Sequence, residues 1–516
     1  MRTEESSKNA MTSMIFYIIN SIFSFISKTI FIRFLGIEYS GLNSLFTNVL
    51  GILNIAELGI GTAVGYSLYK PLAEKDTKTI NEILKLYKYL YRIIAIVILI
   101  IGLIITFFLP YMINTTIDMT QIKIAYILYL ISTVVSYLFT FLNVLPAADQ
   151  KNYIVIKIQG IFKIVKNIIQ LFAIAIFKNY YIWLIIEILG NILSYVYTNL
   201  IIKKKYQYYK EVEEIRFTDL LKKYKEIMLK VRDLFFHKIG GLVVDQTDNI
   251  VISYFCTLSD VGIYGNYMLI FKLLTGTIEQ AFSSITASIG NLIVEKGKEE
   301  TFKIWKEMHI LTFFITIIFG YLFYKLVNKF IVIWVGQEYI LSNAIVFAIS
   351  INIMFRIIKQ PIDKFKDAFG IFWDRQSPFV EAIINLVISI ILAKYMGIIG
   401  VVIGTIISST IIIGIWKPYV IFRYGFNEKI SEFIKINIPL ILISIVSVFI
   451  INFIINFINL DISSNWIGLI ITAIIYGIIT LGISLLCFMC YKTFRIIFIK
   501  YMTIFKNMIL KKLKRK

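Results

Sequence analysis

Apolar stretches of roughly 20 residues recur along this chain from Ser13 to Cys490, and nothing constrains its fold more. A helix rises about 1.5 Å per residue and a bilayer's hydrocarbon core is about 30 Å thick, so each stretch is long enough to cross. No water reaches the peptide groups there, and a lone apolar segment satisfies them only as a helix. The stretches fall at about 13–34, 41–69, 89–113, 121–146, 155–177, 180–202, 234–256, 261–292, 306–332, 340–358, 378–396, 398–420, 434–457 and 466–490. No polar segment between them could form a separate soluble domain. Of the 516 residues, 58% are hydrophobic and 16% charged, too few polar side chains to clothe a water-soluble protein of this size. The expectation is an all-α polytopic membrane protein with about fourteen transmembrane helices.

The net charge of +21 does not indicate nucleic acid. Lys and Arg gather in alternate loops, as in loops that face anionic lipid on the cytoplasmic side, and no soluble basic-aromatic module exists to hold a nucleic acid. The basic segments are Lys70 to Lys88, Lys203 to Arg232, Lys296 to Lys306, Lys359 to Arg375 and the tail Lys511 to Lys516. With these inside, both termini are cytoplasmic. Residues 1–12 are polar and include Glu4 and Glu5, and no small-x-small site follows the first apolar stretch, so the first helix reads as an anchor rather than a cleaved signal. Of the three cysteines, Cys487 and Cys490 form a C-x-x-C inside an apolar helix with no second ligand pair, which argues against a metal site.

Two basic segments are amphipathic. Leu220, Leu221, Tyr224, Ile227, Met228 and Val231 repeat at helical spacing among lysines, as do Phe494, Phe498, Met502, Phe505 and Ile509 in the tail. Both are expected to lie flat in the cytoplasmic interface. The chain then divides into 1–202 (spans one to six), a linker 203–233, 234–425 (spans seven to twelve), 426–490 (spans thirteen and fourteen) and a basic tail 491–516. A faint internal echo accompanies this division: at an offset of 221 residues Phe34 falls on Phe255 and Gly41 on Gly262. An even number of spans between them implies a parallel repeat.

Charges inside a bilayer usually face a cavity or a partner. Lys28 lies in span one, Asp245 and Asp248 in span seven and Lys272 in span eight, with Asp245 and Lys272 at similar depth and able to pair. Span five carries Gln159, Lys163, Lys166 and Gln170 on one stripe, best satisfied by water in a cavity unless the lysines snorkel to the surface. Arg356 stands near the inner end of span ten. Glu57 sits mid-span in Ala56-Glu57-Leu58-Gly59-Ile60-Gly61, where it could carry a proton or pair with a lysine. Glu187, Glu279 and Glu381 lie nearer helix ends, where a structural role suffices. The histidines, His237 and His309, stand on separate helices and make a poor metal or catalytic pair. No catalytic constellation or phosphate-cradling glycine loop is present, and the short outer loops leave little room for one, which favours transport over catalysis.

Several stretches resemble the Wzx-type polysaccharide flippases of the multidrug/oligosaccharidyl-lipid/polysaccharide exporter superfamily. They are Arg33-Phe34-Leu35-Gly36, Tyr39-Ser40-Gly41-Leu42, Ala56 to Ala63, Tyr66 to Leu72, Ala148-Asp149-Gln150-Lys151, Tyr264-Gly265-Asn266-Tyr267, Ala368-Phe369-Gly370 with Asp374-Arg375, Glu381-Ala382 with Asn385, and Gly397 to Val401 with Gly404-Thr405. Their order and spacing carry the resemblance, from about residue 10 to 430. It implies two six-helix bundles in a parallel pseudo-two-fold repeat, followed by two C-terminal helices, with spans one, two, seven and eight lining a central cavity. It also implies a polyprenyl-diphosphate-linked oligosaccharide as substrate, moved from the cytoplasmic to the outer leaflet for cell-surface polysaccharide synthesis. Related lipid II flippases carry basic residues in the first and eighth helices that attract a diphosphate, and Lys28 and Lys272 stand in those helices here.

The expected substrate-binding set is therefore Lys28, Lys163, Lys166, Lys272, Gln159 and Arg356. Glu57, Asp245 and Asp248 are the expected coupling or cavity acids. No cofactor or metal is expected. The expected partners are the lipid-linked oligosaccharide, membrane lipid, and a polymerase and glycosyltransferases of the same pathway, around a monomer. Lysine in place of the arginine often seen gives up bidentate phosphate contact. The rivals are an exporter of a drug or metabolite, or of lipid II, on the same fold, and a membrane-embedded polymerase or acyltransferase. A drug exporter would need no lysines, a polymerase usually has a large outer loop, and an acyltransferase should show a buried catalytic histidine beside polar loops.

Overall fold

The computed structural model is helical and holds no strand among the described residues, which are 2–57, 59–210, 215–371, 374, 376–458 and 464–513. Among them, eleven helices are long and apolar enough to cross a membrane. These match the expected spans except at 41–69, 234–256 and 261–292. The first exception is a broken helix: α2 (Ile37–Leu53, 17 residues) passes through a 3-10 turn at Asn54–Glu57 before α3 (Ile60–Glu74, 15 residues) begins. Gly59 makes the break, because φ of 89° and ψ of −22° is left-handed backbone that only glycine adopts freely. The other two exceptions lie in α10 (Lys225–Phe255), which begins inside the basic linker, and in the first part of α11 (Leu258–Trp334), which kinks at Gly297.

The chain packs as two compact units. Unit 1 comprises residues 1–265, 378–386 and 393–401. Its helices are α1 (Arg2–Leu35), α2, α3, α4 (Thr77–Met112), α5 (Met119–Phe139), the short α6 (Val144–Ala148), α7 (Tyr153–Phe177), α8 (Tyr180–Lys205), α9 (Phe217–Lys223), α10 and the start of α11. Helix α7 packs between α1 and α8, α4 lies along α5, and α10 lies along α2 and α3. Leu42, Leu45, Phe46, Leu68, Leu84 and Tyr126 are sealed in this interior.

At 36 residues α4 is about 54 Å long, well beyond the hydrocarbon thickness. Its surplus first turns receive the linker. Glu82, almost fully buried, accepts from Lys223 Nζ at 2.5 Å and Tyr224 Oη at 2.6 Å, and Phe217 packs on Tyr89. Leu220, Ile227 and Val231 are buried. The apolar face expected to lie flat in the interface is thus consumed by protein.

Unit 2 comprises residues 266–377, 387–392 and 402–516. It holds the rest of α11, α12 (Asn343–Ala368), part of α13 (Gln376–Met396), most of α14 (Ile398–Ile411), α15 (Lys417–Val420), α16 (Ile430–Ile458), α17 (Trp466–Met489) and α18 (Lys492–Leu513). Its core joins Trp305, Phe365, Phe422, Phe433, Leu440, Tyr476, Phe488 and Phe494, so the last two spans are built into this unit. His309 is part of that packing, stacked on Trp305 and bonded through Nε2 to Asn437 Oδ1 at 3.1 Å. Of the tail's apolar face, Phe494 is fully buried, Met502 is exposed, and the side chains of Phe505 and Ile509 lie outside the described residues; Lys500 donates to both oxygens of Glu307, at 2.7 and 2.8 Å.

Candidate functional site

The broken second span creates a polar site inside unit 1. A 3-10 turn changes the direction in which its side chains leave the backbone, and here it turns Asn54 and Glu57 toward α4 and α5. Tyr91 Oη donates to Glu57 Oε1 at 2.5 Å, and Tyr137 Oη lies 3.0 Å from Oε2. Tyr87 Oη stands 2.5 Å behind Tyr91 Oη. Tyr137 Oη is also 2.8 Å from Asn54 Oδ1, so one hydroxyl proton faces two acceptors. A proton on Glu57 completes that count: the carboxyl donates to Tyr137, and Tyr137 donates to Asn54. Gly61 leaves room for Tyr87, whose hydroxyl would stand 3.0 Å from a Cβ there.

A second polar locus joins α1, α2, α10 and the start of α11. Lys28 is half-buried, and its Nζ lies 3.2 Å from where a Gly265 side chain would begin, beside Ser44 Oγ. Tyr264, the preceding residue, donates to Asp248 Oδ2 at 3.0 Å. Lys28 and Asp248 are thus tied to the same turn of α11. Lys28 lies 7 residues before the end of α1 at Leu35, about 10 Å into the span, where burial in the bundle replaces contact with lipid. Asp245 lies in α10, but its side chain falls outside the described residues.

The stripe on α7 has a different occupation from the one expected. Lys166 is 8% exposed and donates to Glu187 Oε1 at 2.5 Å and Asn191 Oδ1 at 2.9 Å. Gln170 donates to Glu187 Oε2 at 3.0 Å and to the Trp183 carbonyl at 3.1 Å. Half of the stripe therefore fastens α7 to α8 instead of facing water, because α8 presents its own acid and amide one turn apart. Of the other half, Lys163 is exposed and Gln159 half-buried.

In unit 2, Lys272 on α11 is exposed and Arg356 on α12 half-buried. The buried charges there belong to a different cluster. Lys366 and Asp374 pair at 2.8 Å with both side chains almost fully enclosed, Asp374 also accepts from Ser377 Oγ and Trp416 Nε1, and Lys417 pairs with Asp363 at 2.8 Å. Trp416 and Lys417 reach these acids from a stretch in which π-helical turns at Ile412–Trp416 and Ile421–Phe426 flank α15. Among the described residues no group of acidic, histidine or cysteine side chains could hold a metal ion.

A family model described as a polysaccharide biosynthesis protein matches residues 6–289. Among solved structures, the lipid II flippase MurJ in an inward closed conformation superposes with a TM-score of 0.70 at 17% identity, over 93% of this chain and 98% of that one. An inward-facing multidrug resistance MATE family transporter of the MOP superfamily gives 0.57 at 15% identity, over 76% and 92%. A mutant form of the Vibrio cholerae MATE transporter VcmN gives 0.51 at 13%, over 82% and 99%. These likenesses concern the fold, which is that of membrane transporters and flippases rather than of enzymes. Comparison with curated protein sequences gives no match.

Proposed function

Because the chain belongs to the polysaccharide biosynthesis protein family, we propose that it is a flippase for a polyprenyl-diphosphate-linked oligosaccharide. It carries the head group from the cytoplasmic to the outer leaflet by alternating access, with both termini cytoplasmic. The physics suits the task. Sugars and a diphosphate cannot leave water unaided, whereas a cationic, hydrated path can shelter them while the polyprenyl tail stays in lipid. The observation that carries the reading is Lys28, a cation kept within the helices of unit 1 at the Gly265 turn of α11. A lysine so held offers an ammonium to a diphosphate through charge-assisted hydrogen bonds. Lys272 supplies a second cation, with Lys163, Gln159 and Arg356 as further polar contacts. Lys166, committed to Glu187, holds the bundle instead.

Glu57 is the coupling acid in this reading, supported by the hydroxyls of Tyr91 and Tyr137 that meet its carboxylate beside Asn54. Asp245 and Asp248 are the further cavity acids of this reading. The protein acts as a monomer beside the polymerase and glycosyltransferases of its pathway. Its test is a substitution series at equal membrane abundance. Lys28→Ala should slow flipping at least about tenfold, the loss of one charged hydrogen bond. Lys28→Arg should keep part of the rate, and Lys28→Glu should be worst. Lys272→Ala is measured alone and together with Asp245→Asn, the control for the pairing that their sequence depths allow. Wild-type flipping in Lys28→Ala and in that double variant contradicts the reading. Faster movement of lipid II than of the oligosaccharide lipid would assign the same site to the other substrate.

A further inference from the structure

We propose that unit 2 binds one phospholipid of net negative charge, its phosphate on Lys325 and one acyl chain in a groove between α11, α12 and α16. The groove has a volume of about 620 Å³ and apolar walls: Phe313 and Ile317 of α11, Phe347 and Met354 of α12, Ile445 and Phe449 of α16. Phe347, Ile445 and Phe449 are exposed, so the groove opens sideways toward the membrane. Its lining falls within 313–324 and 347–358 and 441–452, a matching stretch of each helix. Each stretch rises about 16 Å, close to one leaflet's share of a hydrocarbon core about 30 Å thick. An upright chain from a single leaflet fits that depth, whereas a polyprenyl tail is branched at every unit and would overrun it.

Charge at one end of the groove sets where the head group lies. Lys325 directly follows Tyr324, the residue at which the lining of α11 stops. Its Nζ donates to Asn456 Oδ1 at 3.3 Å, and Asn456 stands just before α16 ends at Ile458. The ammonium therefore sits near the membrane boundary, one turn beyond the last lining residue of α16, Asn452. The rings of Tyr321 and Tyr324 flank it at 5.9 and 5.7 Å. Lys329, one turn on, lies over the Tyr476 ring at 5.5 Å and adds a second positive charge on the same face of α11. Trp334 and Trp466, both packed on Phe330, mark the boundary as interfacial aromatics do. Among the described residues no carboxylate pairs with Lys325, which leaves its charge for an anion from outside the chain. An acyl chain gains little by leaving lipid for an equally apolar groove, so selection rests on the head group. A phosphate gives Lys325 a charge-assisted hydrogen bond, and the choline of a zwitterionic lipid would be repelled by the same two lysines. The site uses no residue assigned to transport, so it does not rest on the flippase reading.

The test uses the purified full chain in phosphatidylcholine vesicles that hold a small fraction of phosphatidylglycerol with a photoreactive group at the end of one acyl chain. Illumination should label α11 near Phe313 and α16 near Ile441, the deep end of the groove. Lys325→Gln should lower that labelling at least about tenfold, the loss of one charged hydrogen bond, and Lys325→Arg should keep most of it. Phosphatidylcholine carrying the same group should label these positions at least about tenfold less. Ser444→Trp puts a ring into the groove and should abolish labelling; should that variant fail to accumulate, Ile445→Trp, at an exposed position of the same wall, takes its place. Equal labelling by the two lipids overturns the proposal, as does labelling untouched by Lys325→Gln or by the tryptophan. So does displacement of the probe by an equal amount of polyprenyl diphosphate, which would give the groove to the substrate's tail. The expected pattern, in a protein that moves no oligosaccharide lipid, would sink the flippase reading and leave the lipid site standing.

Discussion

Replacing Lys166 with Met strands Glu187 inside the α7–α8 interface. The lysine side chain is 8% exposed and the glutamate 24%, and their atoms meet at 2.5 Å. Breaking a buried pair by removing one partner costs about 3–5 kcal/mol. The lower end applies here, since Gln170 Nε2 at 3.0 Å and Asn191 Nδ2 at 3.2 Å still donate to Glu187, and the carboxyl can take a proton. Removing both charges, as Lys166→Met with Glu187→Leu, leaves well-packed apolar chains and should bring stability back to near wild type. Glu187→Leu alone strands Lys166 at a similar cost, so the coupling expected from the double-mutant cycle is about 6 kcal/mol. Reversible unfolding in mixed detergent micelles would measure it. A coupling below about 0.5 kcal/mol would refute the reasoning. So would a Lys166→Met variant of unchanged stability that no longer flips substrate, because its ammonium would then face the transport path.

Three further outcomes follow from the same geometry. Gly190→Ala should cost about 1–3 kcal/mol, because its methyl would stand 2.7 Å from Lys166 Cδ, and Lys166→Ala in the same chain should relieve that clash; additive losses in the double variant would contradict this. Glu57→Gln should accumulate normally, since Tyr91 and Tyr137 keep an amide partner, yet lose any dependence of flipping on a pH gradient; an unchanged gradient response would remove Glu57 from coupling. Impermeant thiol reagents applied to intact cells should fail to label single cysteines placed in 203–232 or near residue 516, and labelling of the 203–232 segment from outside would invert the topology.

The elements were legible where one helix sufficed to define them. Apolar length located the spans, and glycines at 59 and 61 marked the break in the second. Partners across helices were not legible. Tyr87 and Tyr91 stand four apart and share a face, but nothing in the sequence says that this face meets Glu57. Glu187 and Asn191 share a face of α8 in the same way, yet nothing in the sequence brings them to Lys166, because the register of α7 against α8 is set by packing. The amphipathic linker was recognisable, but its expected place in the lipid interface was taken by the overhang of α4. Among the resembling stretches, Asp149 proved to be structural: it accepts from Lys151 Nζ at 2.6 Å and Tyr206 Oη at 2.8 Å, beside Gln150 at a φ of 59°.

The central claim is that the protein moves a lipid-diphosphate sugar across the membrane. Purified protein in vesicles, loaded with a polyprenyl-diphosphate oligosaccharide labelled on its sugar, tests this most directly through the fraction of label an external glycosidase can reach. The account predicts that all the labelled lipid becomes accessible over time with wild-type protein, that only the outer-leaflet half does so in empty vesicles, and that Lys28→Ala is slow. Equal accessibility with and without the protein would contradict it.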